Sequence, residues 1–441
     1  MLTWQDESFP LTLKKQEKSG TGCKETGRLA GSLPTSASSR STGVPDHTKA
    51  AMNSLSEANT HFALDLFQQF KKSKKDNIFY SPLSITSALA MTYLGAQGNT
   101  ALEMGKVLHF NEVTDNTRER PTTAQVEKLG NVHHQFQQLL TELKKPTDAY
   151  ELSIANRLYG EKKFQFRQEY MDNVKKFYLA SVESADFITA AEESRKKINS
   201  WVENLTNGKI KDLLPRDSLD FAILVLVNAV YFKGQWDKKF DKESTVEEKF
   251  WPNKDTSKSV QMMKQIGSFN FTEVQDMQAK ILEIPYKGKD LSMMLMLPNE
   301  VDGLQRLEDK LTTEKLIEWT SSQNMREKQV DLHLPRFKVE ESYDLKDMLM
   351  SMGIVDAFSE WDANFLGMAK SRDLLVTKVA HKSFLEVNEE GTEATAATGI
   401  VVSGRTSALI YGSFHCDHPF LFFIKHNNTN SILFMGRVSS P

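Results

Sequence analysis

Two sets of residues in this 441-residue chain could do chemistry: histidines and cysteines able to hold a metal or serve a nucleophile, and a run of small residues from Glu389 to Ser413 containing one cation, Arg405. The first set forms no signature. There is no G-x-S-x-G, no H-E-x-x-H and no intact G-x-G-x-x-G, so the hydrolase elbow, the metalloprotease helix and the dinucleotide loop have no residues to carry them. The ten histidines are scattered apart from His133 with His134 and the cluster His415, Cys416, His418. That cluster abuts Pro419 and the apolar run Phe420 to Ile424, and no second cluster stands at zinc-type spacing, so no metal is expected. Gly22 to Arg28 (GCKETGR) misses a phosphate loop, with Arg28 where Lys belongs and Leu29 where Ser or Thr belongs. Met293, Met294 and Met296 read as core filling, and no cofactor is expected.

The second set carries more. In EEGTEATAATGIVVSGRTSALIYGS, alternate residues place Thr392, Ala394, Ala396, Thr398, Ile400, Val402 and Gly404 on one face, without a charge. Glu393, Thr395, Ala397, Gly399, Val401, Ser403 and Arg405 take the other, with both charges. That is the period-two pattern of a strand with one buried face. Yet the early residues are small enough to hold little sheet together, and a Glu-Glu-Gly start suits an exposed loop. Both readings stand if the segment is a loop in one state and a strand in another.

The elements that must position such a segment are those of an ordinary globular protein, 39% hydrophobic and 26% charged. A net charge of -3 with mixed signs gives no reason to expect nucleic acid, and Lys71, Lys72, Lys74 and Lys75 read as a solvated helix end. No uncharged apolar window of about 18 residues offers a membrane span. Charges in the first residues leave no secretory signal, and Cys23 and Cys416 imply no disulfide framework, so a cytoplasmic protein is expected. The sequons at Asn204, Asn270 and Asn427 matter only in the secretory pathway.

Residues 1–51, rich in Ser, Thr, Gly and Lys without periodicity, are expected to be a disordered extension, with the globular domain spanning 52–441. A helix follows, with Phe62, Leu64, Leu66, Phe67 and Phe70 at near-helical spacing, and a second over Ser84 to Gly95. Residues 111–130 read as a polar loop, Glu192 to Gly208 as an amphipathic helix, and residues 221–232 as a long buried strand. Strands then flank the Lys-Gly-Lys turn at 287–289, and VDLHLPRFKVE, HPFLFFIKH and SILFMGRV add more. Helices and strands do not alternate one for one. The expected class is mixed α+β with large antiparallel sheets.

EEGTEATAAT resembles the hinge of the serpin reactive loop, and NIFYSPLSITSALAMTYLGA, LVLVNAVYFKGQW, EIPYKGKDLSMMLMLP, LHLPRFKVE and HPFLFFIKHNNTNSILFMGRV resemble serpin blocks in serpin order. The likeness runs from about Met52 to Pro441. It is nearest the intracellular, ovalbumin-type branch (clade B) and its squamous cell carcinoma antigen group, as in NVHHQFQQLLTE, STVEEKFWPNK and SFHCDHPFLFF. The resemblance implies three β-sheets, about eight or nine helices, and an exposed reactive-centre loop at about 389–413. It implies a monomeric protease inhibitor, not an enzyme, which is cleaved, forms an acyl-enzyme and inserts the loop into its main sheet. The hinge would be Glu389, Glu390, Gly391, Thr392, Glu393, Ala394, Thr395, Ala396 and Ala397; a non-inhibitory serpin, whose hinge usually carries larger, charged or proline residues, is an alternative reading. Counting from Gly391 places the cut bond between Arg405 and Thr406. A guanidinium there fits the acidic-floored pocket of trypsin-like serine proteases. Papain-like cathepsins are the alternative target, although Gly404 stands where they usually take a bulky apolar residue. Ser81, Ser84, Asn228 and His381 match the polar cluster under the opening of the main sheet, and Trp236 the aromatic where the loop first enters. Release by an unconventional route would add an extracellular location.

Overall fold

The computed structural model describes residues 46–114, 132–321, 324–390 and 411–441. The extension before 46, the polar segment from 115 and the sequence expectations for Gly391, Thr392, Glu393, Ala394, Thr395, Ala396, Ala397, Arg405 and Thr406 lie outside the described residues.

Ten α-helices occur among the described residues. They are α1 (Asp46–Ser73), α2 (Pro82–Leu94), α3 (Gly98–Val107), α4 (Phe110–Thr114), α5 (Val132–Leu143), α6 (Gln168–Tyr178), α7 (Ala191–Leu205), α8 (Leu304–Lys310), α9 (Thr313–Thr320) and α10 (Lys346–Met352). The strands are β1 (Ile78–Tyr80), β2 (Tyr150–Glu161), β3 (Ser181–Ala185), β4 (Leu224–Gly234), β5 (Val246–Phe250), β6 (Lys258–Val274) and β7 (Ala279–Pro285). They continue with β8 (Leu291–Pro298), β9 (Arg326–Pro335), β10 (Phe337–Asp344), β11 (Val376–Val387), β12 (Gly412–His415), β13 (Phe420–His426) and β14 (Ser431–Val438).

Helix α1 buries Phe62, Leu66 and Phe70, spaced by four and so stacked on one face. Its last turn carries Lys71 and Lys72, which complement the carboxyl end of the helix dipole. Helix α2 is buried nearly all round, and the hydroxyls of Thr86, Ser87 and Thr92 donate to carbonyls three or four residues back in the same helix. It starts where Ser81 caps it, accepting a hydrogen bond from Ser84 N at 3.3 Å, with Pro82 in the first turn where a missing N–H costs nothing.

The strands form a nine-stranded network, in order β1-β14-β13-β8-β7-β6-β9-β12 with β5 on β6, and a five-stranded sheet, β10-β11-β4-β2-β3. Where the resemblance implies three sheets, hydrogen bonding joins two of them. The 17-residue β6 pairs β5 and β9 along its first part and β7 along its last, so one continuous strand belongs to both. Between β7 and β8 the expected turn forms at Lys287–Lys289, with Gly288 at φ 77, a conformation that favours glycine.

The strand β4, in the middle of the five-stranded sheet, is buried on both faces, which explains its apolar run, broken only by Asn228 before Lys233. Leu224, Leu226, Val230 and Phe232 join the main core, while Val225, Val227, Ala229 and Tyr231 pack beneath α7 with Ile198 and Val202. Asn228, by its even number, points with the first set into the main core.

Candidate functional site at the seam of the five-stranded sheet

Strand β11 pairs with β10 antiparallel but with β4 parallel, and in that parallel ladder His381 lies directly opposite Asn228. Both are buried. The Nδ1–H of His381 donates to Oδ1 of Asn228 at 2.6 Å, and its Nε2 accepts from the backbone N–H of Ser81 at 3.2 Å. The Asn228 amide donates to Oγ of Ser84 at 2.5 Å, and Oγ of Ser81 donates to the Leu433 carbonyl at 2.6 Å. Four polar residues named from the sequence thus form one connected group, tying the start of α2, β4, β11 and β14 together. With both ring nitrogens engaged the imidazole is neutral, and burial pushes its pKa down to about 3. Within this group, the bond between Asn228 and His381 is the one that crosses the seam, beside the backbone ladder. Parting the two strands breaks it and leaves each group to find another partner, at about 1–3 kcal/mol for each left unpaired.

At the top of the seam, the last residues before position 391 are held from several sides. Trp236, which follows β4, donates its Nε1–H to the carbonyl of Asn388 at 2.8 Å and its backbone N–H to that of Glu390 at 3.2 Å. The indole stacks on Tyr286 at 4.5 Å between ring centres. Gly234 makes room, since a Cβ there would stand 2.4 Å from the Tyr286 ring. Glu389 is buried and ion-paired with Arg336 between β9 and β10, whose Nε–H donates to it at 3.1 Å, and it accepts from Oγ1 of Thr245 at 2.7 Å. Lys233 reaches Glu390 at 2.8 Å. The sequence singled out Trp236, Glu389 and Glu390 but missed Arg336, Thr245, Lys233 and Tyr286. Arg336 and Lys233 do stand inside quoted blocks, LHLPRFKVE and LVLVNAVYFKGQW, as charges beside apolar strands.

Burial alone would raise the Glu389 carboxyl, yet the hydrogen bonds from Arg336 and Thr245 hold it below its ordinary value. A carboxyl depressed in the native state contributes stability that is full above its unfolded pKa and lost as pH falls through the native one. Arg336→Met is therefore expected to destabilise the protein by about 1–3 kcal/mol at neutral pH. The gap to wild type should close below the glutamate range, where a protonated Glu389 needs no cation. Denaturant titrations at neutral and acid pH check this, and a gap independent of pH would assign the loss to arginine packing alone.

Beyond residue 410 the chain becomes β12, whose partner is β9, in parallel register from Gly412 with Val330 to His415 with His333. In the cluster His415, Cys416, His418 the three side chains take different surroundings. His415 turns to Asp331 at 3.1 Å, His418 lies against Asp417 and the Pro298 carbonyl, and Cys416 is a free, fully buried thiol.

The family model for Serpin (serine protease inhibitor) matches residues 57–441. Serpin B3 and Serpin B4 of Homo sapiens are each 66% identical over 391 residues, which is 88% of this chain and all of either relative. Both are members of the ovalbumin-type, squamous cell carcinoma antigen group that the sequence resembles. The crystal structure of uncleaved ovalbumin is similar with a TM-score of 0.79 at 40% identity, covering 88% of this chain and all of that one. A five-stranded sheet with a parallel seam, a polar group bridging it, and family likeness across the whole globular part lead to one conclusion: the chain belongs to the serpin family, a family of protease inhibitors and not of enzymes.

Proposed function

We propose that this serpin is an inhibitor of trypsin-like serine proteases that works by cleavage at Arg405 and insertion of its own loop. The protease serine attacks the Arg405 carbonyl, Thr406 leaves as a free amine, and the ester left on Arg405 tethers the enzyme. Residues 392–404 then enter the sheet between β4 and β11, carrying the enzyme away before water cleaves the ester.

The observation that carries this reading is the direction of the two strands. The chain leaves the carboxyl end of β11, so a segment folding back runs antiparallel to β11. Since β4 is parallel to β11, the segment is antiparallel to β4 as well. One parallel ladder is exchanged for two antiparallel ones, the more stable pairing per residue. Residues 392–405 span about 46 Å when extended, enough to cross the sheet. Their alternate face, from Thr392 to Gly404, brings no charge into it. The bond between Asn228 and His381 opposes premature opening. The ovalbumin-type resemblance adds to this proposal a monomer located in the cytoplasm, with extracellular release as the alternative.

Incubation with a panel of trypsin-like and papain-like proteases tests the proposal. Trypsin-like enzymes should give an SDS-stable complex. Clipping without a complex would make the protein a substrate only, and complexes confined to papain-like enzymes would transfer the target class to cathepsins.

A further inference from the structure

Away from the seam, the corner between α1, α4 and α9 gathers two imidazoles and three carboxylates. His61 and Asp65 stand one turn apart on α1, His109 lies between α3 and α4, Glu112 is on α4, and Glu314 is in the first turn of α9. Nδ1 of His61 is 3.0 Å from one oxygen of Glu112, and Nδ1 of His109 is 2.9 Å from the other. The rings are 4.8 Å apart between centres, and one ligand atom from each of the three residues lies within 4.8 Å of the rest. The outer nitrogens face carboxylates too, His109 Nε2 to Asp65 at 2.7 Å and His61 Nε2 to Glu314 at 3.5 Å. An imidazole held at its far nitrogen by a carboxylate while its near nitrogen converges with others is how metal-ligating histidines are oriented. The backbone contributes as well, since His109 sits at φ 59, a region that few non-glycine residues adopt.

We propose that His61, His109 and Glu112 bind a divalent transition-metal cation, zinc first, with Asp65 and Glu314 as the carboxylates that orient the rings. Two nitrogens and one carboxylate oxygen leave a fourth tetrahedral position for water. Zinc ligands at about 2.0–2.2 Å from the metal stand roughly 3.3 Å from one another, so the three side chains must draw together by up to about 1.5 Å. His61 and Glu112 are partly open to solvent. Three carboxylates around the two rings also favour a dication over none. The bound ion would fasten α1 to the chain immediately before position 115.

A second trio, Asp331, His333 and His415, serves as the internal control. Its rings stack 3.7 Å apart and share one carboxylate, and among the described residues no carboxylate hydrogen-bonds their outer nitrogens.

The full chain, stripped with a chelator, is titrated with zinc chloride by calorimetry and with cobalt(II) by absorption. One equivalent should bind and raise the melting temperature. His109→Ala and Glu112→Gln should each weaken binding by more than about 100-fold, and Asp65→Asn by about 10–100-fold. His415→Ala should leave it unchanged. The surface change Glu112→Gln keeps the test informative if His109→Ala folds poorly. No saturable zinc binding at about 100 μM, a level far above ordinary zinc-site affinities, would overturn the proposal. So would binding that survives both His109→Ala and Glu112→Gln, binding lost in His415→Ala, or a thiolate-to-cobalt charge-transfer band.

Discussion

Arg405→Glu is expected to abolish inhibition of trypsin-like proteases and to leave the melting temperature of the uncleaved protein where it was. An acidic-floored pocket recognises the side chain by charge and hydrogen bonding, and such sites reject a group that cannot pair by about 10⁴–10⁵-fold. That corresponds to roughly 5.5–7 kcal/mol at 1.4 kcal/mol per tenfold. The seam, its polar group and the contacts described for Asn388, Glu389 and Glu390 involve other residues. Inhibition rate constants and gels of the complex provide the measurement. Undiminished inhibition of trypsin would move the reactive bond, for example to follow Val402 or Ser403, and amino-terminal sequencing of the released fragment would locate it.

Thr392→Arg should produce the opposite phenotype, cleavage without capture. Thr392 is the first residue of the uncharged face, so an arginine there brings a cation into the top of the seam, where an unpaired buried charge costs several kcal/mol. Part of that cost falls on the insertion step, and deacylation competes with insertion. A rise of only about 1.4 kcal/mol in the insertion barrier shifts the outcome tenfold towards hydrolysis. The variant should be cut at Arg405 at a near-normal rate, release active enzyme, and need at least about ten times as many molecules per protease inhibited. Cleaved wild type should also gain heat resistance, and the cleaved variant less. Capture by Thr392→Arg at wild-type stoichiometry would contradict insertion of residues 392–404. The two variants separate the steps, since one fails before cleavage and the other after it.

Much of the architecture was legible locally. The apolar spacing of Phe62, Leu66 and Phe70 marks α1; the second helix, expected from Ser84, begins two residues earlier at Pro82, and the buried strand expected over 221–232 is β4, which begins at Leu224 because Phe221 stands exposed. The strand that carries His381 left no such signal. His381 and Ser383 place polar groups on the core-facing side of β11, an irregularity breaks its register between Val376 and Lys378, and Lys378 and Lys382 occupy the other face. Alternation is erased where the buried face is polar.

By itself, the sequence determined the family resemblance, the mixed α+β class, and the uncharged alternate face from Thr392 to Gly404 with Arg405 opposite. These depend on residue type and short spacing, which neighbouring positions record. Only the tertiary structure decided that β4 and β11 are parallel neighbours, that Asn228 meets His381 from 153 residues away, and that Arg336 pairs with Glu389 across 53. It likewise brought Glu112 between His61 and His109. The physical reason is common to all of them. Periodicity states which side chains must leave water, whereas a buried polar group needs one partner at hydrogen-bond distance, and the long-range path of the chain selects that partner.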